Sequence, residues 1–209
     1  MSKDLLVVTA DLDAQEVMKA ILERCEALEI HPISFDVVRH LGRDPGLFVG
    51  AADYSKLMKE KYHKLIIMLD YHGSGCSDGG GKCAATIQKQ LDGVTWKSHS
   101  LAVIIEPELE EWLWHNEASI QKIFELSDAQ LKEFVATFCK KHDCDVRSVT
   151  REKPKELLDF ICEKVKNRGH LRHKEFGQLA SSASLKGWQT SASFRQIVAI
   201  LQEWFPSEV

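Results

Sequence analysis

No stretch of this sequence approaches the ~18 consecutive apolar residues that a membrane-spanning helix needs. The opening segment, MSKDLLVVTADLDA, has only a short apolar run, lacks a cleavage pattern and runs straight into acids. Neither a signal peptide nor an anchor is expected, and the reading is a cytoplasmic protein without membrane contact. Low-complexity tracts and internal repeats are also missing. Charge of one sign is not in excess: 27 Lys and Arg against 31 Asp and Glu leave a net charge of −4. That balance does not announce a nucleic-acid binder, although the C-terminal third is locally basic. No CxxC pair occurs among Cys25, Cys76, Cys83, Cys139, Cys144 and Cys162, which are expected as reduced thiols rather than a disulfide framework. Cys139, His142 and Cys144 lack the fourth ligand and the paired spacing of a zinc site.

What is present is an ordinary globular composition, 209 residues with 44% apolar and 28% charged. This suffices for one sizeable domain, or one domain with a small appendage. Leu5 to Ala10, Ile33 to Val38, Leu65 to Leu69 and Leu101 to Ile105 read as strands. Helical spacing lies between them, from Asp13 to Leu28, from Ala52 to Lys61 and from Lys82 to Leu91. Strand and helix in alternation predict an α/β unit with a largely parallel sheet. Further on, Glu111–Phe124, Asp128–His142, Lys155–Asn167 and Ser193–Phe205 are all helical in period, while 169–191 is polar, basic and aperiodic. The expected organisation is an α/β core over 1–116 and a helical C-terminal extension over 117–209 packed on it.

Three of the four strands end in acids: Asp11 and Asp13 after the first, Asp70 after the third, and Glu106, Glu108, Glu110 and Glu111 after the fourth. Parallel, adjacent strands would bring these to one edge, where ligands of such sheets collect. Packed carboxylates repel unless protonated or bridged by a cation. Mg²⁺, a hard ion that prefers oxygen ligands, suits them and could polarise a phosphate. The plainer alternative is that Asp11 or Asp13 caps a helix and the glutamates fill a first helical turn.

The arrangement resembles the Toprim-type fold, the catalytic unit of topoisomerases, primases and the overcoming-lysogenization-defect nucleases. There a glutamate ends the first strand and an Asp-x-Asp pair ends the third. PELEEWLW (107–114), an acid-rich turn before a tryptophan, and SASFRQIVAIL (191–201), a serine-phenylalanine helix start, resemble more specifically a Toprim-related family of bacterial defence-associated proteins. They are similar also to the small accessory component of methylation-associated phage-defence systems. The resemblance covers most of the chain, although its motifs are short. It implies a Toprim-like, mostly parallel four-stranded sheet flanked by helices, and Mg²⁺-dependent phosphodiester cleavage. Asp70 would be the first metal ligand, with Glu108 and Glu110 completing the site and Asp11 and Glu106 as further ligands. Asp70, His72 and Asp13 would be the catalytic groups, His72 as ligand or proton carrier. Implied partners are nucleic acid and protein subunits of a defence system. Two departures stand out: Thr9 occupies the glutamate position, and His72 replaces the second acid of the pair.

Two further functions stay open. One is a non-catalytic scaffold whose helical extension binds a larger subunit. The other is a phosphatase built on Asp11-Leu12-Asp13, although Gln15 stands where that pattern continues to threonine. The loop GSGCSDGGGKC (73–83) is no P-loop: Cys76 stands at its first glycine and Cys83 at its hydroxyl. It reads as a mobile surface loop or, with Lys82, an anion nest. Trp112 and Trp114 are expected to divide between core and contact surface. Trp188 is expected either to pin a loop or to stack on a base near Arg172, Lys186 or Arg195. His170 and His173 are expected in solvent.

Overall fold

The computed structural model describes residues 2–207. The four apolar runs form a single sheet of β1 (Lys3–Thr9), β2 (Phe35–Arg39), β3 (Tyr62–Asp70) and β4 (Ser100–Ile105). All neighbours are parallel, in the order β2-β1-β3-β4. Successive side chains enter opposite faces. Leu5, Val7, Ile66, Met68, Val103 and Ile105 join one hydrophobic cluster, and Leu6, Val8, Leu65, Ile67, Leu69 and Ile104 join a second. Burial on both faces is why β1, β3 and β4 are continuous apolar runs, whereas β2, at the sheet edge, alternates around Asp36 and buries only Val37.

Between β1 and β2 run α1 (Leu12–Leu22) and α2 (Cys25–Leu28), on the first face. α3 (Arg43–Lys56) and α4 (Gly80–Asp92) connect the later strands across the second face. The chain therefore leaves β1 in one direction and, after β2, crosses back to β3. The sheet's switch point lies between the ends of β1 and β3, the position at which ligands of such sheets collect.

α5 (Glu110–Trp114), α6 (Glu117–Phe124), α7 (Asp128–His142), α8 (Val149–Glu152), α9 (Pro154–Lys166), α10 (His173–Ser182), α11 (Leu185–Trp188) and α12 (Ala192–Trp204) follow. Their apolar faces join the first cluster, which runs without a break from Leu5 to Phe205. Residues on both sides of position 116 thus share one core.

Several boundaries differ from the sequence reading. α3 begins at Arg43, not Ala52, because Pro45 sits in the first turn, where a missing N–H costs no helical hydrogen bond. The helix read over 111–124 divides at His115, and Asn116 caps α6 through Ser119 N–H. The aperiodic 169–191 contains α10 and α11. α10 buries only Phe176, Leu179 and Ala180, and packs on α1, with Gly177 letting its backbone approach Glu16.

Trp112 and Trp114 do not divide between core and surface: both are buried, because α5 is enclosed on all sides. Trp112 Nε1 donates to Ser193 Oγ at 2.8 Å, and Trp114 Nε1 to the Pro154 carbonyl at 2.9 Å. Trp188 is buried against Trp112 and Phe194, so it pins the loop and offers no face to a base. Cys76 and Cys83 form a disulfide, which corrects the expectation of six reduced thiols. The glycine-rich turn brings Cys76 back onto the first turn of α4, and the loop is clamped at its base. Cysteine content therefore no longer argues for a reducing compartment. Among the described residues, no helix is long and apolar enough to cross a membrane.

Candidate metal centre

Asp70 is the last residue of β3, and Glu108 and Glu110 flank the entry to α5 just past β4. Because β3 and β4 are adjacent and parallel, their ends coincide, with Asp70 in register with Ile105. Asp70 Oδ1 accepts from Leu109 N–H at 3.0 Å, which folds the PELEEW turn back over the β3 terminus. One ligand oxygen from each of Asp70, Glu108 and Glu110 then lies within 4.8 Å of the others.

The neighbours of this group define its charge state. Glu108 is held on both oxygens, by His72 Nδ1 at 2.9 Å and by Lys155 Nζ at 3.3 Å. Withdrawal from water, reinforced by Glu110, Asp11, Asp44 and Glu108, holds the Asp70 carboxyl well above the ordinary aspartate range. Burial pushes Glu110 up to about 8, against the opposing pull of Lys155. Burial works against the Lys155 ammonium, yet Glu110, Glu108 and Asp70 outweigh it and raise its pKa. The cluster thus crowds together more carboxyl groups than its own cation could neutralise if all were ionised, and two of them hold their protons more tightly as a result. All its ligands are oxygens, a donor set suited to a hard divalent ion.

The remaining expected residues sit around this group in different roles. Asp13 lies in the first turn of α1 and accepts from His173 Nδ1 at 2.6 Å; burial raises its pKa. His170 and His173 are exposed as expected, and His173 is paired as well. Asp11 caps α1, its Oδ1 accepting from Ala14 N–H at 2.8 Å, as the plainer alternative anticipated. Glu106 Oε2 accepts from Gly80 N–H at 3.2 Å, at the start of α4. Neither Asp11 nor Glu106 belongs to the clustered triad. Thr9 is fully buried, and its hydroxyl donates to the Asp11 carbonyl at 2.9 Å.

Two participants were missed. Asp44 lies in the first turn of α3, and its Oδ1 accepts from the Asp70 N–H at 2.9 Å. It makes the end of β2 acidic as well, and the signal was present in RHLGRDPG (39–46), read as a loop. Lys155 stands in the first turn of α9, and nothing in its local sequence ties it to β3. Comparison with known protein families, with curated proteins and with solved structures returned no match to this chain.

Proposed function

We propose that Asp70, Glu108 and Glu110 bind a divalent cation, Mg²⁺ by preference, and that the protein is a Toprim-like metal-dependent phosphodiesterase acting on nucleic acid. The observation that carries this reading is the convergence of three carboxyl groups from two strand ends, two of which, Asp70 and Glu110, have pKa values raised by burial and by neighbouring like charge. A divalent ion relieves that repulsion, because two positive charges favour the ionised form of all three groups. Bound there, it would supply a polarised phosphate oxygen and a more acidic water. His72, partly exposed and hydrogen-bonded to Glu108, is placed to carry a proton at its free Nε2. The Asp13–His173 pair would be a second proton-handling group at the rim. A role in bacterial phage defence, beside other protein subunits, rests on the resemblance of PELEEWLW and SASFRQIVAIL alone.

The test titrates Mg²⁺ and Mn²⁺ while thermal stability and cleavage of DNA and RNA are followed, in wild type and in Asp70→Ala. Metal-dependent stabilisation and cleavage, both absent in the variant, are expected. Indifference of the wild type to either ion removes the enzyme reading.

Thr9 favours a second reading. Its side chain cannot act as a general base, and it is fully turned inward. On this reading the cluster is a degenerate centre neutralised by Lys155, and the protein is a scaffold for a larger subunit. Asp70→Ala would then keep biological activity, and charge reversal on the exposed side of α9 would abolish it. The phosphatase reading is the weakest, because one Asp11 oxygen is already committed to the α1 cap.

A further inference from the structure

The open edge of the sheet borders a cavity of about 740 Å³ that the acidic triad does not use. β4 is an edge strand, and the carbonyls of Ile105 and of His99, which immediately precedes the strand, accept hydrogen bonds from Tyr71 and Leu65 on the β3 side. Residues of a parallel ladder alternate between their two neighbours. Ala102 and Ile104 therefore turn their main-chain groups to the open side. The Ala102 N–H is taken by Gln88 Oε1 at 3.0 Å, which confirms the direction. Both residues line the cavity, whose opposite walls are the start of α4 and the start of α12. Apart from Gln88, α4 presents only the small residues Gly80, Gly81, Ala84 and Ala85 there, which leaves the cavity open.

Glu111 supplies the second, independent observation. The residue is only 8% exposed and lines the same cavity. Its Oε1 is bonded to His115 Nε2, and His115 Nδ1 is bonded to Thr190 Oγ1 at 2.8 Å, so the carboxylate is fixed in place. Its Oε2 is buried without a hydrogen-bond partner among the described residues. A buried carboxylate oxygen is costly unless an N–H donor, best a cationic one, completes it. Glu106 stands on the same wall and adds negative potential, while Arg151, also there, disfavours a run of positive charges.

We propose that this groove binds an extended peptide segment of a partner protein, which pairs its main chain with the open edge of β4 and places one lysine or arginine side chain on Glu111 Oε2. Strand addition supplies the main-chain contacts, and the fixed carboxylate supplies the selectivity. The inference does not depend on whether the acidic triad holds a metal.

The test uses the full-length protein, immobilised, and pools of end-capped pentapeptides with randomised flanks and a fixed central lysine, arginine, norleucine or glutamate. Retention is read by mass spectrometry. The lysine and arginine pools should be retained about tenfold above the other two. Glu111→Gln should erase that preference, and Ala85→Trp, at an exposed position of α4, should block retention of all pools. Equal retention of the four pools, no retention, or retention insensitive to Ala85→Trp would overturn the proposal. So would full competition by lysine amide, which would assign the groove to a small amine instead.

Discussion

The ammonium of Lys155, in the first turn of α9, lies 3.3 Å from Glu108 Oε2 at the mouth of α5. The helical C-terminal region therefore brings a positive charge to the strand ends. A lysine in that position does part of what a metal would do, and it competes with one.

Lys155→Met should separate the two effects. The lysine side chain is about half exposed, so solvent screens the pair and the metal-free protein should lose only about 1 kcal/mol. Affinity for Mn²⁺, measured by calorimetry, should rise, because the rival cation is gone. Weaker Mn²⁺ binding would show that Lys155 supports the site instead of competing for it.

Asp70→Asn keeps the oxygen that accepts from Leu109 N–H while it removes a charge from the cluster. The metal-free variant should match or exceed wild type in stability, because burial and the neighbouring carboxylates disfavour a charge at this position. Its thermal response to Mg²⁺ should vanish. A variant that unfolds at lower denaturant than wild type would show that the Asp70 charge is stabilising.

Glu110 sets a pH dependence with a definite sign. Its folded pKa is about 8, above its ordinary value of 4.5, so the folded state binds the proton more tightly than the unfolded chain. Metal-free stability should therefore rise as pH falls from about 8 toward 4.5 and gain nothing further from this group below that. Above about 8 the full penalty is present. Glu110→Gln should flatten this window in urea titrations. Metal affinity should run the other way, rising with pH, because the ion needs the ionised form.

Trp112→Ala should cost about 3–5 kcal/mol, the range for emptying a large aromatic site in a packed core. Trp112 is fully buried against Trp188 and Phe194, and its ring N–H is satisfied by Ser193. Denaturation midpoints report the loss. A cost below about 1 kcal/mol would mean that α5 and α12 pack loosely.

Reduction of Cys76–Cys83 opens a short loop, with a sequence separation of 7. Chain-entropy arguments give about 2 kcal/mol for such a closure. A reductant should lower the midpoint of unfolding by a corresponding amount, and Cys76→Ser with Cys83→Ala should be insensitive to it. Free-thiol counting on the intact protein checks that the bond forms.

The strands were legible because burial on both faces leaves an unbroken apolar signature, as in Leu65–Leu69 and Leu101–Ile105. So were α7, α9 and α12, whose amphipathic periods run for three turns or more. The single-turn helices α8 and α11 were not, because one turn cannot display a period, and α10 was not, because its buried face is only Phe176, Leu179 and Ala180. The expected division of Trp112 and Trp114 between core and surface fails because a helix pattern gives one buried face, whereas α5 is covered on every side.

Sequence alone determined the parallel α/β class and placed Asp70, Glu108 and Glu110 at strand ends, since an apolar run that meets a carboxylate has reached the limit of its buried layer. Only the tertiary structure decided that those three meet, that Asp44 and Lys155 join them, and that Asp11 and Glu106 turn to backbone N–H groups instead. The physical reason is that strand adjacency and the docking of α9 depend on contacts between segments far apart in the chain. Local residue patterns carry no record of which distant charge will face which.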